Sequence, residues 1–264
     1  MKKLFLLLTF LIFILSINCQ NYIDYNKGNF PIIITSCHGG SIQKGLKKRD
    51  CKKSNCSKDL YTKEITYYIH NELKRLNINS HSVVNNLHRK VLDTNREFKL
   101  SSKSNIGKKN YYEFHNKIQS SILNHVFSDS VILIIDIHGH THRHGYIELG
   151  YDISIKELNK NLNNYKNSSL QNVTTKSKDI KFLGDMYKEY NYNAVPNSFI
   201  KLPKQYFNGG YITETYKSYP NTVIVQIEIP SSIRKNKNKR KQFSKQTAII
   251  IKDYYNFLTY LRKK

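Results

Sequence analysis

Three apolar runs in this chain end on residues able to do chemistry. The first is Ile134-Ile135-Asp136-Ile137-His138-Gly139-His140, where a stretch beginning at Val131 delivers a carboxylate and an imidazole abruptly to its C-terminal end. The second covers residues 31–36 and ends in Cys37-His38-Gly39-Gly40. The third is Thr222-Val223-Ile224-Val225-Gln226-Ile227-Glu228, β-branched and carrying one acid near its end. Neutral imidazoles hold a metal and a glutamate serves as base for its water, so two histidines and one glutamate at strand ends are what a hydrolytic zinc site needs.

Groups so far apart in sequence must be brought together by strands whose ends lie side by side. Residues 31–36, 81–84, 131–137 and 222–229 read as strands. Asp59 opens a helix, with Leu60, Glu64, Tyr67, Tyr68 and residues 73–76 at helical spacing and an acid in the first turn. Residues 109–127 are amphipathic, with Tyr111, Phe114, His115, Ile118, Ile122 and Val126 on one side. Phe243, Ile250, Tyr254, Phe257, Leu258 and Leu261 mark a closing helix. Residues 152–183 form a polar excursion, and residues 206–215 a loop whose Gly209-Gly210 pair lets the backbone approach something closely. Strands alternating with helices predict an α/β fold, a three-layer αβα sandwich with a largely parallel or mixed central sheet. Sites in such sheets lie at the carboxyl ends of the strands, where His38, His138 and Glu228 fall.

At 264 residues, with no Pro/Gly/Ser-rich linker, the chain reads as one domain over residues 21–264. Residues 1–20 read as a secretory signal: Lys2 and Lys3 precede a run from Leu4 to Ile17 broken only by Thr9 and Ser16. Cleavage is expected to release a secreted, soluble protein with no stable membrane anchor; an uncleaved anchor is the alternative. Cys19 leaves with the signal, so Cys37, Cys51 and Cys56 remain. Cys51 and Cys56 share a polar loop and are the first choice for a disulfide, with Cys37 a buried free thiol beside His38; a bridge from Cys37 to either is the alternative. Sequons at Asn55, Asn167 and Asn172 suit an exported glycoprotein.

The formal charge of +24 invites a nucleic-acid reading. Lysines are scattered through the loops instead of lining one helix face, so no specific nucleic-acid partner is expected. The dense basic run 234–241 reads as a solvated loop before the last helix. His140, His142 and His144 read as pocket rim or exposed residues, with a second metal site as the alternative, and Glu148 as an ion-pair partner of Arg143.

Taken in order, Ser36-Cys37-His38-Gly39-Gly40, Arg89 leading into Asp93-Thr94-Asn95-Arg96, Asp136-Ile137-His138-Gly139-His140, Gly209-Gly210-Tyr211-Ile212-Thr213 and Gln226-Ile227-Glu228 resemble the N-formylglutamate amidohydrolase family. Glu148-Leu149-Gly150-Tyr151 and Ala194-Val195-Pro196 resemble segments of its eukaryotic members. The resemblance runs from about residue 30 to residue 235. It implies a hydrolase fold similar to that of the zinc carboxypeptidases and one bound zinc ion, other divalent metals being alternatives. In this light His38 and His138 are metal ligands, and Glu228 is the general base for the attacking water and then the acid for the leaving amine. Arg89 polarises the scissile carbonyl, Asn95 and Arg96 hold a substrate carboxylate, and Gly210 and Tyr211 border the substrate. Asp136 orients a ligand.

Two departures qualify the likeness. Zinc carboxypeptidases place a glutamate three residues after the first histidine, where this chain has Ser41; Asp59 is the nominated third ligand and Glu64 the next. Glu214-Thr215-Tyr216 stands where bacterial formylglutamate enzymes tend to carry an arginine, which puts a glutamate-like substrate in question. The expected activity is hydrolysis of an amide in a small N-acyl amino acid or short peptide bearing a carboxylate. A carboxypeptidase-like peptidase is the second reading, and an inactive secreted binding protein for anionic surfaces or glycans the third.

Overall fold

The computed structural model describes residues 22–52, 55–159, 168–174 and 179–264. The expected signal segment and the Asn167 sequon lie outside the described residues. Seven strands form one mixed sheet: β1 Ile23–Asn26, β2 Ile32–Ser36, β3 His81–Asn85, β4 Ile132–His140, β5 Ile147–Gly150, β6 Ala194–Val195 and β7 Thr222–Pro230, in the order β1-β3-β2-β4-β7-β5-β6. The central strands β3, β2, β4 and β7 are parallel. β1 and β5 run antiparallel to their neighbours β3 and β7. The α/β sandwich is therefore as expected, with the antiparallel members confined to its flanks.

Side chains alternate across the central strands and split the core in two. On one face Ile32, Ile34, Leu133, Ile135, Val223 and Val225 pack beneath the helices Thr62–Arg75, Asp179–Glu189 and Lys237–Arg262. On the other, Ile33, Ile132, Ile134 and Ile224 meet the helices Asn105–Leu123 and Tyr211–Tyr216. Each such fully buried aliphatic side chain contributes roughly 1.5–3 kcal/mol from leaving water. The second face changes character toward the C-terminal strand ends, where Thr35, Asp136, His138, Gln226 and Glu228 continue the same alternation.

Four expectations need correction. β4 continues to His140, paired with Pro230 of β7, so His138 and His140 lie within the sheet, not beyond its edge. The helix after the first histidine begins at Thr62, and Asp59 sits in the turn before it, where Tyr61 adopts φ 68°. The basic run is not a solvated loop: it spans the helix Ser231–Arg234 and the start of Lys237–Arg262, with Arg234 and Arg240 buried. Arg234 donates to the carbonyls of Ile229, Leu60 and His140, and Arg240 lies over the Tyr61 ring and pairs with Glu64. Those two guanidiniums tie the last helix to the edge of the candidate site. The polar excursion, finally, contains the helix Ile155–Asn159, a 3₁₀ turn at Ser169–Asn172 and the start of the helix Asp179–Glu189.

Cys51 and Cys56 form the expected disulfide, with Cα atoms 5.5 Å apart, and Cys37 is a buried free thiol. The Asn172 amide does not suit a glycan, because its Nδ2 donates to the carbonyls of Lys217, Tyr219 and Thr222. Among the described residues no helix is long and apolar enough to cross a membrane.

Candidate active site

β2, β4 and β7 end side by side, and a cavity of about 460 Å³ opens over them. His38 leaves the end of β2, while His138 on β4 lies directly opposite Glu228 on β7. The two imidazoles meet edge to face with ring centroids 4.8 Å apart, and both are buried. Each ring is fixed from behind by a buried carboxylate. His38 Nε2 donates to Asp93 Oδ1 at 2.7 Å, and His138 Nε2 donates to Asp136 Oδ2 at 2.8 Å. Asp136 is itself oriented by Thr35, whose hydroxyl donates to Oδ1 at 2.7 Å.

With both Nε2 atoms committed, the Nδ1 atoms are left to face Asp59. Asp59 Oδ2 lies 3.4 Å from His38 Nδ1 and 3.2 Å from His138 Nδ1. His38 Nδ1 is buried without a hydrogen-bond partner, and so is Glu228 Oε2. His38 Nδ1, His138 Nδ1 and Asp59 Oδ2 can face one another only with a cation among them: protons serve in the metal-free protein, as between His138 Nδ1 and Asp59 Oδ2 at 3.2 Å, and a metal ion can take their place. Ligand atoms at 2.0–2.2 Å from a tetrahedral zinc stand about 3.4 Å from one another. The donor set His38 Nδ1, His138 Nδ1 and Asp59 Oδ2 therefore fits a divalent ion, and the two carboxylate-backed imidazoles are what such an ion favours. Cys37 Sγ also lies near both rings, but it meets His138 at Nε2, 3.1 Å away, the nitrogen already held by Asp136. The Nδ1 pair with Asp59 is the set that keeps both backing hydrogen bonds.

The electrostatics point the same way. Burial alone would discharge His38, but the negative field of Cys37, Asp93 and Asp59 outweighs it and raises the imidazole well above its ordinary value. His138 is raised likewise, burial being outweighed by Cys37 and Asp136. Asp59 is held far below the usual carboxylate range, because the charge of His38 and the hydrogen bond and charge of His138 overcome its burial. A pocket that attracts positive charge this strongly attracts a metal cation for the same reason. Glu228 behaves oppositely: burial, helped by Asp59 and Glu148 against the opposing His138, pushes its carboxyl up to about 7. Gln226 Nε2 donates to its Oε1 at 3.0 Å.

Arg89 and Arg96 line the cavity, each with Nε on Asp93 Oδ2, at 3.1 and 2.9 Å. Arg89 Nη1 lies 3.6 Å from Asp59 Oδ1. Asn95 lines the cavity too, its Oδ1 accepting from the Ile212 amide at 2.8 Å. Gly210 and Tyr211 do not line it. Tyr211 is partly buried and packs against the small cluster of Leu87, Val91 and Tyr111. Gly210 matters at one remove: a Cβ there would collide with the ends of Asn95 and Gln226. Glu64, the other ligand candidate, is drawn away to Arg240 at 2.9 Å.

Asp93 carries a role that the sequence motif alone did not assign to it. It is fully buried and gathers His38, Arg49, Arg89 and Arg96. Its spacing of four and three residues from two arginines was a readable signal; Arg49, inside a lysine-rich loop, offered none. Glu148 was misassigned. It pairs not with Arg143 but with His140, His142 and His144, of which His140 and His142 line the cavity as expected of a pocket rim while clustering around this carboxylate.

No family model matches the chain, and no curated protein does. Solved structures share its fold. Gene product Atu2144 from Agrobacterium tumefaciens superposes with a TM-score of 0.58 at 13% identity, over 89% of this chain and 95% of that one. N-formylglutamate amidohydrolase from Ralstonia eutropha JMP134 superposes with a TM-score of 0.57 at 8% identity, over 92% of this chain and 99% of that one. The chain therefore has the fold of N-formylglutamate amidohydrolase along nearly its whole described length.

Proposed function

We propose that the chain is a metal-dependent amidohydrolase of the N-formylglutamate amidohydrolase type, acting on a small N-acyl amino acid or short peptide that carries a carboxylate. The observation that carries this reading is the convergence of two carboxylate-backed Nδ1 atoms on Asp59 beside a protonatable Glu228. His38, His138 and Asp59 hold the ion. Bound there, a divalent ion supplies a Lewis acid for the carbonyl oxygen and lowers the pKa of water.

The remaining chemistry belongs to the side chains. Glu228, fixed through Oε1 by Gln226, takes a proton from the attacking water at Oε2 and returns it to the leaving amine. Arg89 is anchored by Asp93 at Nε and stabilises negative charge developing on the carbonyl oxygen. Arg96, about one-third exposed, receives the substrate carboxylate with Asn95 beside it. A cavity of about 460 Å³ suits a small acylated amino acid. Export completes the reading, and the Cys51–Cys56 disulfide supports it, since such bonds persist in oxidising compartments.

The test is hydrolysis of N-formyl and N-acetyl amino acids, acidic and neutral, by the purified protein. Turnover should vanish on chelation, return with zinc, and fall on the order of 10²-fold or more in Glu228→Gln. Turnover indifferent to chelation and to that substitution would overturn the mechanism. Release of C-terminal residues from peptides, with no deacylation, would replace it by the peptidase reading.

A further inference from the structure

Beyond the three ligands of the candidate active site, the same cavity wall carries a second set of metal donors. Glu148 on β5 lies opposite Glu228 on β7 and is completely buried. Its Oε1 is 2.6 Å from His142 Nδ1, 3.1 Å from His144 Nε2 and 3.6 Å from His140 Nδ1, while Oε2 accepts from the Phe207 amide at 2.6 Å. Among the described residues no lysine or arginine pairs with this carboxylate; its only cationic partners are imidazoles. A carboxylate this deeply buried needs a compensating positive charge.

Backbone contacts assign the ring nitrogens. His140 Nε2 donates to the Tyr146 carbonyl at 2.8 Å, so its lone pair is on Nδ1, toward Glu148. His144 Nδ1 accepts from the Tyr146 amide at 3.0 Å, so its proton is on Nε2, which donates to the Gln205 carbonyl at 3.3 Å and lies 3.1 Å from Glu148 Oε1. His144 thus offers no lone pair toward the carboxylate, leaving His140 Nδ1, His142 Nδ1 and Glu148 Oε1 as three donor atoms within 4.8 Å of one another. His140 and His142 both face the cavity that holds His38 and His138.

We propose that His140, His142 and Glu148 bind a second divalent transition-metal ion, of the zinc class, in the wall of the same cavity. Two imidazole nitrogens and one carboxylate oxygen are borderline donors that suit zinc, cobalt or nickel over calcium or magnesium. Loading the ion displaces two hydrogen bonds, the one that His140 Nδ1 accepts from the His142 amide at 3.0 Å and the one between His142 Nδ1 and Glu148 Oε1 at 2.6 Å, which weakens this site relative to the first. This second ion needs neither the first ion nor any activity of the protein.

The experiment is equilibrium dialysis of metal-stripped protein against zinc, with metal counted per chain, and against cobalt, followed by its visible absorption. Two equivalents are expected for the wild type, one for His142→Ala and one for His38→Ala, with different cobalt spectra remaining in the two variants. His142 is half-buried, and His142→Asn, which keeps a donor near Glu148, provides a folded control should the alanine variant fail to fold. One equivalent in the wild type that persists in both His142 variants and disappears in His38→Ala overturns the second site and leaves the proposed hydrolase standing. One equivalent that disappears in the His142 variants and persists in His38→Ala supports the second site and removes the proposed catalytic ion.

Discussion

The two histidine clusters of the cavity use the same kinds of donor, two imidazole Nδ1 atoms and one carboxylate oxygen, yet are supported differently. Behind His38 and His138 stand buried carboxylates, Asp93 and Asp136. Behind His140 stands a backbone carbonyl, and His142 is half-buried. A carboxylate raises the basicity of the imidazole it holds, whereas a carbonyl only orients it. The carboxylates within the clusters differ as well. Glu148 is enclosed by three imidazoles and a backbone amide. Glu228, directly across the strand pair, has the Gln226 amide on one oxygen and no partner on the other. The difference teaches that the same residue type on adjoining strands is fully satisfied or left with an open oxygen according to what meets its second atom.

The contrast can be broken most forcefully at Glu228. Burial raises its carboxyl from an ordinary 4.5 to about 7 in the metal-free protein. Between those values the folded state binds a proton that the unfolded chain does not, so this contribution to stability is whole below about pH 4.5 and is lost as pH rises toward 7. Glu228→Gln lacks it. Denaturant unfolding of the chelated proteins should show the variant gaining on the wild type across that window by up to roughly 3 kcal/mol. A difference that is flat with pH would mean that Glu228 is satisfied as well as its neighbour.

Asp136→Asn comes next in size and tests the backing carboxylates. Asp93 would be a poor choice, since it also neutralises Arg49, Arg89 and Arg96 and its loss endangers the fold. Asp136 holds only Thr35 and His138 among its described side-chain hydrogen bonds. The variant should bind zinc at the first site about 10- to 100-fold more weakly while the second site keeps its affinity, read from competition with a chromophoric chelator. Equal weakening at both sites would erase the distinction drawn between them.

Much of this arrangement was legible in the chain. Apolar runs ending in His38, His138 and Glu228 foretold three strand ends, because a buried parallel strand must be apolar on both faces and anything else marks its exit. Asp136 two residues before His138 shares its face of the strand by simple alternation, which is why its backing role could be anticipated. The antiparallel flanks could not. β5 and β6 are four and two residues long, too short for a period to emerge. Glu148 therefore had no strand to sit on and no reason to point at histidines. The basic segment misled for a related cause: charge density signals solvent on average, but Arg234 and Arg240 are buried because backbone carbonyls and Glu64 accept their protons.

The smallest expected effect concerns Gly210, which lies outside the cavity yet governs one side of it. The helix Tyr211–Tyr216 starts there, and the Gly210 amide donates to Thr213 Oγ1 at 2.7 Å. A methyl group at this position would press on the side-chain ends of Asn95 and Gln226, the groups that border His138 and orient Glu228. Both ends are flexible amides that can yield, so Gly210→Ala should leave the fold and the metal count intact. Gln226 can move only by loosening its hydrogen bond to Glu228 Oε1, whereas the three atoms nearest the added methyl belong to Asn95 and Gln226 and none to the Glu148 cluster. The expected outcome is a drop in kcat of a few-fold, on the order of 1 kcal/mol in the barrier, with the affinity of the His140–His142–Glu148 site unchanged. A fall in KM-dependent binding with kcat preserved would instead assign Gly210 to the substrate and shift Asn95, not Gln226, to the centre of its effect.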